Sequence, residues 1–273
     1  MSSALVGRTL RAEWTKLRSV PSTFWLLLAV VASTIAFGLL VCSAVDTGGG
    51  TPGCTPGAPG CGDEDVVLNS LSGAYLGQIA VVALGVLAAT AEYATGTIRS
   101  TFAAMPGRSR VVLAKAVALV GPVLVAGVLA SAGSFLFGQP ILHANGFIPS
   151  EGYPTASLVD APAVRAIMGT ALYLGVIALF AFALGTIVRR PGAALAVVLT
   201  VVYAPAVVSL MLAEPLRGWV QKASPMMAGL AVQRTVLRAD SVPIGTWAGL
   251  GVATGWSAIA LVVAMWLVRH RDA

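Results

Sequence analysis

Charge is scarce in this chain of 273 residues, where Asp, Glu, Lys and Arg fill only 10% of positions. Each helix of a soluble protein has a wet face, so a soluble chain of this size spreads charge along all of them. Histidine is rarer still: His143 and His270 are the whole complement. No Cys or Asp cluster accompanies either one, so neither a metal-ligand spacing nor a Ser/His/Asp constellation can be drawn. The three lysines follow Thr15, Ala114 and Gln221. A phosphate-cradling loop needs Gly-Lys followed by Ser or Thr, so the motif is missing and the chain is expected not to hydrolyse ATP itself.

What fills the chain is apolar. Residues 19–45, 66–91, 116–150, 166–188, 191–213 and 241–268 are each a run of 23 or more positions without Asp, Glu, Lys or Arg. A helix rises about 1.5 Å per residue, so about 20 residues cross the ~30 Å hydrocarbon core of a bilayer. The runs are continuously apolar, which excludes the roughly ten-residue alternating segments of a membrane β-barrel. The expected fold is an all-α membrane protein with six spans, at about 24–45, 71–91, 116–138, 166–188, 193–212 and 247–268. Spans and connections account for nearly all of residues 1–273, so a single membrane domain is expected. The first run is 27 residues long, beyond the roughly 7–15 residues of a signal-peptide core, and reads as an uncleaved span.

The net charge of +6 is a topology signal rather than a nucleic-acid one. With the N-terminus inside, the inner segments hold Arg8, Arg11, Lys16, Arg18, Arg99, Arg108, Arg110, Lys115, Arg189, Arg190, Arg269 and Arg271, 12 of the 17 basic residues. The outer segments hold Arg165, Arg217, Lys222, Arg234 and Arg238, with eight of the 11 acidic residues. Positive-inside bias therefore places both termini in the cytoplasm.

Several local patterns refine this picture. Val6, Leu10, Trp14 and Leu17 share one helical face, with Arg8, Arg11 and Arg18 around the other. Such a helix lies in the membrane interface, either as a topology anchor or as an elbow helix touching a cytoplasmic partner. The Gly/Pro-rich outer loop 46–70 holds Cys54 and Cys61, which could close a disulfide in an oxidising compartment. Pro140, Pro149, Pro154 and Pro162 disfavour a long helix in 139–165, and Pro205 is expected to bend the fifth span. Ser224-Pro225 reads as an N-cap and first helical position, with Met226, Leu230 and Leu237 on one face. Short helices are therefore expected at, or dipping into, the outer leaflet before the sixth span. Gly73/Gly77, Gly245/Gly249 and Gly251/Gly255 stand at the four-residue spacing that lets membrane helices approach closely.

The inner loop after the second span carries the most polar information. It reads Glu92-Tyr93-Ala94-Thr95-Gly96-Thr97-Ile98-Arg99, then Pro106, Arg108, Arg110 and Lys115. On a continuing helix Glu92 and Arg99 share a face two turns apart. The segment is either an ordinary interfacial turn or a rigid polar knob offered to a cytoplasmic protein.

This loop resembles the signature of type-2 ABC exporter permeases, the membrane subunits of ATP-binding-cassette exporters. The family has a Glu closing the second span, then Gly-Thr, a basic residue, a Pro and further basic residues entering the third. Glu92, Gly96-Thr97, Arg99, Pro106, Arg108 or Arg110, and Lys115 occupy those places. The opening Glu13-Trp14-Thr15-Lys16-Leu17-Arg18-Ser19 is similar to the start of many actinobacterial members. The resemblance implies a multi-pass plasma-membrane protein in which two permeases, identical or paralogous, form the pathway. It further implies that each docks on a separate ATPase subunit that binds ATP and Mg²⁺, while this chain binds no cofactor. By the same resemblance Glu13, Trp14, Lys16, Arg18, Glu92, Gly96, Thr97, Arg99, Pro106, Arg108, Arg110 and Lys115 couple the subunits and do not touch cargo.

Three functions remain in view. The first is export of an amphipathic or hydrophobic compound powered by a partner ATPase. The second is a non-transporting assembly or sensor subunit. The third is a secondary carrier, disfavoured because the spans hold no ionisable residue except Glu92 at an edge, whereas ion-coupled carriers usually need intramembrane charge.

Overall fold

The computed structural model describes Thr15 and residues 21–45, 64–94, 108–149, 153, 156–236, 242 and 244–270, without the side chains of Glu92, Ala94, Arg108 and Arg110. Among the described residues 86% are helical and none lies in a strand, as the continuous apolar runs require. The long helices are α1 (Pro21–Ala44), α3 (Ala74–Ala94), α4 (Arg108–Ala144), α5 (Ala161–Val188), α6 (Pro191–Met211) and α9 (Thr246–His270). Short helices α2 (Val66–Leu71), α7 (Leu216–Ala223) and α8 (Pro225–Gly229) and a 3₁₀ turn (Leu230–Gln233) complete the set. Six helical segments, α2 and α3 counted together, are long and apolar enough to cross a membrane. The start of α1 and the end of α9 define a terminal end of the bundle; the opposite end is called distal.

Helix α5 sits at the centre, packed against α3, α4, α6 and α9. Its buried side chains run nearly all round, from Ala163 to Thr186, and most are Ala, Gly or other compact residues. Small residues let backbones approach where lipid offers no hydrophobic drive to associate. A Cβ on Gly85 of α3 would stand 2.6 Å from the Ala178 carbonyl oxygen of α5. The outer helices are different: α1 exposes Phe24, Trp25 and Leu40, α6 exposes Val207, Leu210 and Met211, and α9 exposes Trp247, Ile259 and Trp266.

At two of the expected spans the helices extend beyond the bounds read from the sequence. The second span is not one helix starting near residue 71. It opens at α2, where Asp65 caps the first turn by accepting from the Leu68 N–H at 3.0 Å, breaks at Ser72-Gly73, and resumes as α3. The break lets the chain pass against α1, since a Cβ on Gly73 would overlap the Thr34 carbonyl and one on Gly77 the Thr34 hydroxyl.

The third span, expected over 116–138, is a helix of 37 residues that runs through both Pro122 and Pro140. Proline removes an intrahelical bond, but packing can hold such a helix together in a bundle. Here the distal part of α4 is pinned to α2: Ser134 Oγ donates to the Ser70 carbonyl at 2.6 Å and Gln139 Nε2 to Ser70 Oγ at 3.2 Å. Just past the helix, Asn145 Nδ2 donates to the carbonyls of Cys42 and Val45 at 3.0 and 2.9 Å, satisfying the open end of α1. The helix therefore ends at Ala144, nearly two turns beyond the expected bound at 138.

Candidate functional site

The terminal end carries the loop singled out in the sequence. Helix α3 extends to Ala94, so Glu92 lies in its last turn, and Arg108 and Arg110 lie in the first turn of α4. Lys115 is half-buried one turn further along. Gly96, Thr97, Arg99 and Pro106 lie outside the described residues, as do Glu13, Trp14, Lys16 and Arg18, so the face shared by Glu92 and Arg99 is not described. Cys54 and Cys61 lie outside them too; Cys42 is a buried free thiol.

The structure adds neighbours to this loop that the sequence did not connect. Helix α5 ends at Arg189, whose N–H returns to the Gly185 carbonyl at 2.9 Å and whose φ is 63°, a left-handed cap on a non-glycine residue. That conformation turns the chain sharply so that Pro191 can open α6 as its first residue. The Arg189 guanidinium stands 5.2 Å above the Tyr93 ring, next to Glu92 in sequence. At the same end Arg269 Nη2 donates to Ser109 Oγ at 3.1 Å. Ends of α3, α4, α5 and α9 are thus joined in pairs around the loop.

The distal end holds a helical hairpin between α6 and α9, as the Ser224-Pro225 pattern implies. Ser224 Oγ caps α8 by accepting from the Met227 N–H at 3.3 Å. The hairpin tip lies below the distal end of the bundle. Trp256 Nε1 donates to the Ala223 carbonyl at 2.9 Å, and Trp256 lies about 15 Å down α9 from Thr246. Met226 and Leu230 are buried, as the shared face predicts, while Leu237 lies outside the described residues.

A chain of polar side chains anchors the hairpin inside the apolar bundle. Tyr173 of α5 donates to Gln78 Oε1 of α3 at 2.5 Å, and Gln78 Nε2 donates to Met226 Sδ at 3.0 Å. Gln233 Nε2 reaches the Leu71 carbonyl and Thr170 Oγ1, each at 3.1 Å. The Tyr203 hydroxyl of α6 donates to the Tyr75 carbonyl. Unmade, each of these polar groups would cost free energy in a water-poor interior, so the chain fixes where the hairpin sits. In the sequence Gln78, Tyr75, Tyr173 and Tyr203 stand singly within apolar runs; only their long-range pairing makes them a unit.

The hairpin's return is tied to the bundle by charge. Asp65 is 1% exposed and accepts from the Thr235 N–H at 2.5 Å, the Thr235 hydroxyl at 2.7 Å and the Val236 N–H at 3.0 Å. Arg234 donates to the carbonyls of Val242 at 2.5 Å and Ile244 at 2.9 Å. Arg165 Nη2 in turn donates to the Arg234 carbonyl at 2.6 Å and its Nη1 to Thr246 Oγ1 at 3.2 Å. Burial lowers the Arg234 pKa, against the opposing influence of Tyr75 and Asp65. In the sequence Arg165 and Arg234 run against the charge rule; here they hold a loop by its carbonyls.

Beside the hairpin lies an apolar groove of about 470 Å³, walled by α6 (Thr200 to Val208), by Val220 and Ala223 of α7, and by Pro225 and Trp256. Among the described residues no group of three His, Cys, Asp or Glu side chains could hold a metal. The chain matches no family model and no curated protein.

Proposed function

We propose that this chain is the permease subunit of an ATP-binding-cassette exporter. It sits in the plasma membrane with both termini cytoplasmic, pairs with a second permease, and moves an amphipathic or hydrophobic compound. A separate ATPase subunit, carrying ATP and Mg²⁺, drives the movement. The observation that carries this reading is the loop from Glu92 to Lys115, whose residue pattern resembles the exporter signature. It joins α3 to α4 at the end of the bundle where Tyr93 meets Arg189 and Ser109 meets Arg269. A force on that loop would reach α3 and α4 directly, α5 through Tyr93 and α9 through Ser109.

The positive-inside charge bias supports placing the terminal end in the cytoplasm. The helical hairpin ahead of α9 supports the architecture that the resemblance implies. The test is gentle affinity purification from native membranes, with companions identified and ATPase activity measured. A stoichiometric P-loop ATPase is expected, with its coupled activity lost when Glu92 and Arg99 are replaced while membrane insertion is unchanged. Recovery of this chain alone, under conditions that preserve known transporter complexes, would favour a non-transporting assembly or sensor subunit.

A further inference from the structure

We propose that the Arg189 guanidinium is a docking point for a carboxylate on the cytoplasmic ATPase subunit, beside the Glu92–Lys115 loop. The inference rests on the permease reading and adds to it a residue and the charge of the partner's surface.

Three observations single out this side chain. Its backbone is held at φ 63°, a conformation that glycine adopts freely and other residues only with strain. Non-glycine residues kept in such strain cluster at functional positions. The guanidinium stands 5.2 Å above the Tyr93 ring, one residue from Glu92. It makes no hydrogen bond among the described residues, and its Nε–H is closed off from solvent without an acceptor. Arg165 and Arg234 differ, since both donate to backbone carbonyls. The Arg189 fork is aimed by a ring and a backbone turn, and its donors stay open.

Position decides what can reach it. Helix α5 is central, packed against α3, α4, α6 and α9, and is buried nearly all round as far as Thr186. Gly185 meets Val86 and Ala89 of α3, and Ala171 meets Gly127 of α4. Arg189 lies as far along α5 from Ala171 as Ser109 lies back along α4 from Gly127, and Ser109 in turn accepts from Arg269 of α9. The half-buried Arg189 therefore stands among the ends of its neighbours, away from the lipid rim. Its open side points along the bundle axis, where a cytoplasmic protein would sit.

Charge gives the sign of that protein's surface. The inner segments hold 12 basic residues against three acidic ones, and Arg190, Arg269 and His270 at this end are exposed. A planar guanidinium binds a carboxylate through paired, charge-assisted hydrogen bonds. An acidic surface that places one carboxylate on Arg189 fits both the general field and the open fork.

The experiment takes the ATPase recovered with the wild-type chain, separates it, and titrates it against full-length chains in nanodiscs of phosphatidylcholine, with and without phosphatidylglycerol. The wild type should bind in both lipids, more weakly as salt rises. Arg189→Gln and Arg189→Gly should each weaken binding about tenfold and flatten the salt dependence, and Arg189→Lys should fall between. The Gly variant keeps the left-handed turn, so its loss of binding does not reflect misfolding. Unchanged binding by the Gln and Gly variants would overturn the proposal and leave the permease reading standing. Weakening confined to phosphatidylglycerol would also overturn it, since the guanidinium would then act through lipid. If the wild-type chain recovers no ATPase, the permease reading falls and this proposal falls with it.

Discussion

The Tyr173 hydroxyl donates to Gln78 Oε1 at 2.5 Å, and both side chains are fully buried between α3 and α5. Neither partner has water to fall back on. Removing one alone should therefore cost more than the pair contributes. Tyr173→Phe or Gln78→Leu alone should destabilise by about 1–3 kcal/mol, and the double variant by less than the sum of the two. Thermal unfolding in detergent would measure this. Strict additivity would show that the two groups do not depend on each other.

Glycines at the same sequence spacing should respond oppositely to a methyl group. Gly73→Ala would drive a Cβ into the Thr34 carbonyl of α1, and overpacking of that kind costs about 1–3 kcal/mol. Gly251→Ala meets nothing within 4 Å in this chain and should leave the monomer's stability unchanged or slightly raised. Equal melting midpoints for the two variants would contradict the close approach of α1 and α3.

Asp65 is acceptor to Leu68, Thr235 and Val236 at once. Asp65→Ala should cost about 2–3 kcal/mol, since a helix cap and the hairpin's anchor vanish together. Asp65→Asn keeps one carbonyl oxygen and should fall between wild type and Ala. Protease cleavage between residues 236 and 246 should accelerate in the same order. An Asn variant as weak as Ala would mean that the charge, rather than the acceptor count, holds the return strand of the hairpin.

At Arg189, backbone and side chain can be separated by two substitutions. The left-handed φ of 63° costs a non-glycine residue about 1–2 kcal/mol, while the guanidinium over Tyr93 contributes roughly 0.5–1 kcal/mol. Arg189→Gly relieves the first and loses the second, so it should sit close to wild type. Arg189→Ala loses the ring contact and keeps the strain, so it should be the less stable of the two by about 1 kcal/mol. The comparison is made by denaturation of the two variants side by side.

The hairpin shows how unevenly the sequence speaks. Ser224-Pro225 is a local signal, because an N-cap hydroxyl and a proline at the first turn depend only on neighbouring residues, and the structure places both there. How deep the hairpin sits depends on Trp256 reaching Ala223 and on Gln78 reaching Met226. Those partners are far away in the chain, and nothing in either neighbourhood announces the other. Pro140 misled for a related reason: its cost to a helix is local, but the hydrogen bonds from Ser134 and Gln139 to Ser70 that hold the helix together are not.

Charge was legible as a statistic and illegible residue by residue. The bias of basic residues toward one end follows from composition and order alone. That Arg234 spends its donors on the Val242 and Ile244 carbonyls, whereas the Lys222 ammonium lies 5.8 Å from the centroid of the Trp219 ring, follows from side-chain placement. Both read as the same exception to the charge rule.

By itself the sequence determined that the chain is a bundle of six apolar helices with polar ends, because segment length and the absence of charge are properties of contiguous residues in a bilayer. It also determined where the most polar inner loop lies, because the Glu92–Lys115 pattern is contiguous. Only the tertiary structure decided which glycines are contacts, which prolines end a helix, and which polar side chains meet inside the bundle. Those outcomes depend on backbone approach distances and on hydrogen-bond partners from other helices, which no local pattern encodes.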